Sequence, residues 1–321
     1  MLRELLIMRH GKSTHDVPTE DFERPLKDSG KRDAQRVGVW LHQQGLVPDL
    51  VVCSPAVRAL ETARKAAKAM GLNSDAIRQD QRIYAASMNE LVNVIRDCPP
   101  DVQRLLLVGH NPGLADLLVY LAGQPVALPS GRNLLPTAAL AQLNIPAGWR
   151  DLRRGRASLV RLLDPDQLPR GFPYPLTAPT ETRERPAYYY TQSSVIPYRY
   201  ANGELQVLII ASSKKKHWVV PKGIRDPGHS AQEAAAKEAW EEAGIEGDVE
   251  QEPLGSYQYE KWGAPCTVTV YPMAVDELIS ESIWEESHRG RKWVSPEEAA
   301  QLVKEPALTG MIQALQQRLA G

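Results

Sequence analysis

The first third of the chain repeats one pattern three times. Residues 5–8, 50–53 and 105–108 are short, continuous apolar runs, LLIM, LVVC and LLLV. Runs of this length bounded by polar or glycine residues predict strands buried on both faces, as in a parallel sheet. Residues 30–45, 56–70 and 112–122 carry apolar positions at helical spacing. Strand and helix alternate, so residues 2–123 predict an α/β domain with right-handed crossovers.

From residue 165 the period is lost. Residues 165–186 are rich in proline with polar residues between, which predicts an extended, semi-stiff linker. Strand patterns resume afterwards. Residues 192–200 and 205–211 flank Ala201-Asn202-Gly203 and predict a hairpin. Residues 217–220, 249–259 and 266–275 read as further strands, and 305–319 as a closing helix. Residues 231–243, AQEAAAKEAWEEA, are nearly all helix formers. Ser230 with Glu233 makes a capping box ahead of them, and Gly244 stands where a helix stops. The expected architecture is two α/β domains, residues 1–164 and 187–321, the second a mixed sheet between helices.

Composition narrows the function little. The 321 residues carry a formal net charge of −1, which argues against a nucleic-acid-coating or membrane-surface protein. Cys53, Cys98 and Cys266 are too far apart for a metal motif or a disulfide framework, as in a reducing cytoplasm. The opening MLRELLIMRHG is too short for a signal peptide or a membrane span.

The strand ends carry the chemistry. In parallel sheets the ligand crevice lies at the carboxyl ends of the strands. Here those ends give Arg9-His10-Gly11, then Ser54-Pro55 followed by Arg58, and Gly109-His110-Asn111. Two guanidiniums beside two imidazoles repel a cation and suit a phosphate. The segments LLIMRHGKS, RPLKDSG at residues 24–30, VVCSPAVRALETA and LLLVGHNPG resemble the histidine phosphatase superfamily, above all its short SixA-type phosphohistidine phosphatases. That resemblance implies that His10 is the nucleophile, that Arg9, Arg58 and His110 hold the phosphoryl oxygens, and that no cofactor is used. It further implies that Gly11 and Asn111 lie in the substrate site, the glycine letting the backbone approach the phosphate. Relatives that cleave sugar phosphates carry a general-acid carboxylate after the strand reading IRQDQRIY here. This chain has Tyr84-Ala85-Ala86-Ser87 there, and the nearest acid, Glu90, is on the next helix. An alkoxide leaving group needs a proton, whereas imidazole leaves more easily. A phosphohistidine-bearing protein is therefore the expected partner.

In the second half Glu238, Glu241 and Glu242 are spaced i, i+3, i+4, on one helix face. Their mutual repulsion calls for a cation, and oxygen ligands suit Mg²⁺ or Mn²⁺. With the preceding loop they resemble the Nudix box, G-x5-E-x7-R-E-U-x-E-E-x-G-U. Gly223, Glu238, Ala239, Glu241, Glu242, Gly244 and Ile245 are in register, while His229 and Lys237 replace the Glu and Arg that brace the family's loop. The resemblance implies an α/β/α sandwich, metal binding by Glu238 and Glu242, help from the carbonyl near Lys222, and activation of water by Glu241, the last two glutamates being interchangeable. Ser212-Ser213-Lys214-Lys215-Lys216 ahead of WVVPKG, and the stretch WEESHRGRKWVSPEEA, are similar to diphosphoinositol polyphosphate and diadenosine polyphosphate hydrolases. That similarity implies phosphate contacts from Ser212, Ser213, Lys214 and Arg291, with Arg289 and Lys292 as further candidates. The expectation is a bifunctional phosphohydrolase acting on phosphorylated small molecules. The alternatives are sanitation of oxidised nucleotides, which a mycobacterial enzyme with both domains in the opposite order suggests, and a Nudix-fold sensor that regulates the phosphatase.

Overall fold

The apolar run at residues 5–8 lies in the interior of a six-stranded sheet. The computed structural model describes residues 2–14, 18–123, 126, 133–146 and 148–320. The chain divides into two units, Met1–Thr182 and Arg183–Gly321, and each is described by itself.

In the first unit, β1 (Arg3–Arg9), α1 (Asp28–Gln43), β2 (Leu50–Cys53), α2 (Val57–Met70), β3 (Arg78–Gln79), α3 (Met88–Arg96), β4 (Arg104–Gly109), α4 (Gly113–Ala122), β5 (Leu140–Ile145) and β6 (Ser158–Leu163) follow in order. The sheet order is β3-β2-β4-β1-β5-β6. The first four strands are parallel, while β5 pairs antiparallel with β1 and β6 antiparallel with β5. Leu5, Ile7, Leu105 and Leu107 pack toward α3 and α4, through Leu91, Ile95, Leu114 and Leu118. Leu6, Met8, Leu106 and Val108 pack toward α1 and α2, through Val37, Leu41, Ala63 and Ala66. Both faces of β1 and β4 are covered, so their runs are apolar without alternation.

Two readings change. The strand expected at IRQDQRIY is only Arg78–Gln79, and Asp80 then caps a 3-10 turn over Gln81–Ile83. The stretch 165–186 is not a free linker. Its buried Phe172 packs on Val39 and Ala69, Arg36 donates to the Leu168 carbonyl, and the short strands β7 (Phe172–Tyr174) and β8 (Glu181–Arg183) pair. One aromatic anchor suffices to fold most of a proline-rich strap onto the first unit, so the division falls after Thr182.

The second unit is built on β9 (Thr191–Ala201) and β10 (Glu204–Ala211), joined by a turn at Asn202-Gly203, then β11 (Trp218–Val219), β12 (Lys222–Ile224) and α5 (Ala231–Glu238). A π-helical turn over Ala239–Ala243 extends α5. β13 (Ile245–Val249), β14 (Gly255–Lys261), β15 (Ala264–Leu278), β16 (Arg291–Val294), α6 (Pro296–Leu302) and α7 (Pro306–Ala320) complete it. The sheet path is β11-β10-β9-β15-β13, with β12 on β9, β14 on β15 and β16 on β10. β9 and β15 are parallel. Ala235 and Ala239 pack on one face against Val195, Leu208 and Tyr271. Leu308, Ile312 and Leu315 pack on the other against Ile196, Val207 and Val270. Residues 249–259, expected as one strand, divide into β13 and β14, because Pro253 between them has no N–H for a ladder. Among the described residues no helix is long and apolar enough to cross a membrane.

Candidate active sites

The parallel register of β1 on β4 sets Arg9 opposite Gly109, so the residues after both strands meet. The His10 N–H donates to the Gly109 carbonyl at 3.0 Å, and the His10 and His110 ring centroids are 5.1 Å apart. The Gly11 carbonyl lies 2.8 Å from His10 Nδ1. A carbonyl only accepts, so Nδ1 carries the proton and Nε2 keeps its lone pair. Ser54 Oγ lies 2.8 Å from His110 Nε2, and the buried His110 Nδ1 has no hydrogen-bond partner among the described residues. Burial pushes His10 down to about 4, aided by Arg58 and Arg9 and opposed by the Gly11 bond. Burial and His10 push His110 to about 3. Both imidazoles are therefore neutral at pH 7.

Arg9, Arg58, His10, His110 and Asn111 are brought together as the sequence predicted. Arg9 Nη1 and Asn111 Nδ2 both donate to the Leu135 carbonyl, at 3.0 and 2.9 Å. Gly11 has a packing reason visible in the structure. A Cβ there would lie 2.7 Å from the Gly30 carbonyl oxygen, so the glycine permits packing on α1. Its N–H donates to Thr62 Oγ1, which donates to the Arg58 carbonyl.

Asp21 was not legible in the sequence. It starts a 3-10 turn, Asp21–Glu23, in a segment without apolar period. Its Oδ2 accepts from Arg58 Nη2 at 2.8 Å and from the Tyr84 hydroxyl at 2.9 Å, and its Oδ1 accepts from Arg24 Nη1 at 2.7 Å. Arg58 Nη1 also donates to the Asp21 carbonyl. Partial burial raises the carboxyl pKa, but the bonds from Tyr84, Arg58 and Arg24 outweigh it and hold the group down at about 2. Glu90, the nearest acid in sequence, serves the helix start. Its carboxylate closes the capping box of α3, accepting from Ser87 N and Oγ.

The second unit contains a cavity of about 840 Å³. Glu238 and Glu242 line it, with Lys222, Lys261, Lys304 and Arg289. A Cβ on Gly223 would lie 1.9 Å from Glu238 Oε1, so this carboxylate rests on the bare α-carbon of the loop. Glu242 Oε2 accepts from Lys222 N at 3.0 Å, and Oε1 from Arg289 Nη2 at 2.6 Å. Ser212 and Ser213 reach the cavity wall, whereas Lys214 is exposed on the turn and does not line it. Glu241, within the π turn, does not line the cavity, and its Oε1 lies 3.8 Å from Lys237 Nζ.

Arg291 departs from the sequence reading. Its guanidinium donates to the carbonyls of Ala243, Gly244 and Ile279 and stacks over Trp284, so it seals the end of the π turn instead of facing substrate. Lys292 pairs with Glu298 at 2.6 Å. Arg289, two residues before Arg291, is the one that lines the cavity. The substituted brace is replaced locally, because Lys237 Nζ lies 3.7 Å from Asp226 Oδ2 in the loop.

Comparison with known proteins settles the family. The family model described as histidine phosphatase superfamily (branch 1) matches residues 5–91, and the NUDIX domain model matches residues 191–315. Nudix hydrolase 16, mitochondrial, of Arabidopsis thaliana is 33% identical over 130 residues, covering 35% of this chain and 71% of that protein. The chain joins a histidine phosphatase domain to a Nudix domain. An uncharacterized protein of Mycobacterium tuberculosis is 33% identical over 157 residues, covering 48% of this chain and 96% of its own. A solved structure of the protein histidine phosphatase SixA complexed with tungstate covers 51% of this chain and 97% of its own, at 21% identity and a TM-score of 0.43. Both families are hydrolases, so the protein is a two-domain phosphohydrolase.

The Nudix family generally uses a divalent metal, and the donors here fit one. Burial, Glu242 and Glu241 push Glu238 up to about 8, and burial raises Glu242 against its bonds to Lys222 and Arg289. Two all-oxygen carboxylates at a cavity wall, each costly to ionise alone, are what a hard cation relieves. Among the described residues no group of three or more ligating side chains is gathered. Mg²⁺ commonly takes one or two carboxylates, with waters and substrate phosphates in its remaining positions.

Proposed function

We propose that the phosphatase domain removes the phosphoryl group of a protein phosphohistidine through a covalent intermediate on His10, and that the Nudix domain cleaves a phosphate chain linked to a nucleotide or inositol, with Mg²⁺ or Mn²⁺. The observation that carries the first half is the bond between His10 Nδ1 and the Gly11 carbonyl, which leaves Nε2 as the nucleophile. Arg9 and Arg58 offset phosphoryl charge, and the unpartnered His110 Nδ1 is a further donor when Ser54 supplies the hydrogen to Nε2. Among the described residues the only carboxylate bonded to this group, Asp21, is held ionised and has no proton for an alkoxide. That favours a P–N over a P–O substrate. The test compares kcat/KM for a phosphohistidine peptide and a simple alkyl phosphate. A rate on the alkyl phosphate equal to or above that on the peptide sinks the reading.

For the Nudix domain, Lys222, Lys261 and Lys304 around the glutamate pair support a polyanionic substrate. A cation on Glu238 and Glu242 would neutralise phosphate charge and polarise the attacking water. Lys222 N holds Glu242 in place, and Gly223 lets Glu238 meet the loop backbone. A panel of dinucleoside polyphosphates, inositol pyrophosphates and oxidised nucleoside triphosphates, each with and without Mg²⁺, tests this. Preference for the oxidised triphosphates would replace the long-chain reading. Three buried free cysteines accord with a reducing cytoplasm.

A further inference from the structure

A carboxylate beside a phosphate clamp repels an incoming phosphoryl group. Asp21 carries such a charge against Arg58, and its field reaches His110. It also cannot act as an acid, being held ionised by Tyr84, Arg58 and Arg24 against partial burial. Its place in the site suggests a task. His10, His110 and Arg58 are buried, while the Asp21 side chain is 51% exposed. A phosphoryl group held by Arg58 for in-line attack by His10 Nε2 carries its leaving group away from the buried imidazole, and Asp21 bonds that same Arg58 with a side chain far more exposed than the guanidinium.

We propose that Asp21 receives the far ring N–H of a substrate phosphohistidine and so selects an imidazolium leaving group. This rests on the reading that the domain cleaves P–N bonds through His10. In the first step the His10 Nε2 lone pair forms a bond to phosphorus. The P–N bond to the substrate ring breaks, and its electron pair stays on that ring nitrogen. The ring, already protonated on its other nitrogen, departs as neutral imidazole, and the Asp21 carboxylate holds that N–H throughout. A ring without this proton would have to leave as an anion. His10 then bears phosphorus on Nε2 and hydrogen on Nδ1, bonded to the Gly11 carbonyl. Water attacks phosphorus, the new P–N bond returns its pair to Nε2, and the surplus proton passes to solvent with the released phosphate. An alkyl or aryl phosphate has no ring N–H for Asp21 to hold, so the carboxylate merely repels it.

The test is Asp21→Asn in the full chain, assayed on a phosphohistidine peptide and on p-nitrophenyl phosphate, whose phenolate leaves without a proton. Asparagine keeps an acceptor oxygen and removes the charge. The expected result is a loss of kcat/KM on the peptide of about tenfold to a hundredfold, the range of a hydrogen bond to a charged group. The aryl phosphate rate should fall several-fold less than the peptide rate, since that substrate loses only what the weaker hold on Arg58 costs, and an unchanged Tm shows that the variant is folded. An equal loss on both substrates means that Asp21 only anchors Arg58, and overturns the proposal. No loss on either overturns it too. Wild-type protein that turns over p-nitrophenyl phosphate but not the peptide overturns the P–N reading itself, a distinct result.

Discussion

The imidazoles of His10 and His110 face each other with centroids 5.1 Å apart, at the ends of the neighbouring parallel strands β1 and β4. Burial near Arg58 and Arg9 disfavours a proton on either ring, so their pKa values fall to about 4 and about 3. The sign is that of a depressed base: both rings stay neutral as pH drops through 6.5 and gain protons only near those values. ¹³C-edited NMR of the histidine rings, assigned with His10→Gln and His110→Gln, should show both midpoints below 5. Midpoints near 6.5 refute the burial argument. Because the rings interact, two macroscopic steps are expected for the pair.

His10→Ala should abolish phosphatase turnover and leave the Nudix activity nearly unchanged, since the glutamate-lined cavity is built wholly from the second unit. Rapid quench of wild-type protein should trap acid-labile, base-stable phosphate on His10. A mutant that still turns over, with nothing trapped in the wild type, excludes the covalent route.

Glu238→Gln and Glu242→Gln should each lower Nudix turnover on the order of a hundredfold or more, because several kcal/mol of transition-state charge stabilisation is lost with a metal ligand. EDTA should have the same effect on that activity and none on the phosphatase, whose clamp is Arg9 and Arg58. Binding of Mn²⁺ followed by electron paramagnetic resonance should weaken in both variants. Unchanged Mn²⁺ affinity would move the metal elsewhere.

The ion pair of Lys237 with Asp226 stands where the family uses Glu and Arg. Side-chain exposure of 51% at Lys237 limits its worth to at most about 1 kcal/mol. Lys237→Met should therefore lower Tm only slightly while reducing Nudix kcat several-fold through a looser loop. A double-mutant cycle with Asp226→Asn should show coupling; strictly additive losses would dismiss the brace.

Arg291→Ala should destabilise the Nudix domain by roughly 2 kcal/mol, as its charged bonds to three carbonyls are lost. Its KM should shift little. Arg289→Ala should do the reverse, raising KM because Arg289 faces the cavity. Thermal melts and Michaelis curves on the two variants separate these outcomes.

The sequence by itself determined the elements and most of the chemistry. Four-residue apolar runs bounded by polar or glycine residues and alternating with helical patterns predict strands covered on both faces, and their polar ends then share one rim, which groups His10, Arg58 and His110 from sequence alone. Spacing along one helix likewise announced Glu238 and Glu242. Tertiary structure alone decided which charges meet. Asp21 reaches Arg58 by the path of an aperiodic turn. Glu241 pairs with Lys237 and is absent from the cavity wall, and Arg289 faces the cavity while Arg291 caps backbone. Phe172 ties a proline-rich strap to α1. Periodicity records how each element buries its own face. The partner of a side chain on a loop depends instead on where separate parts of the chain come to rest, and no local pattern encodes that.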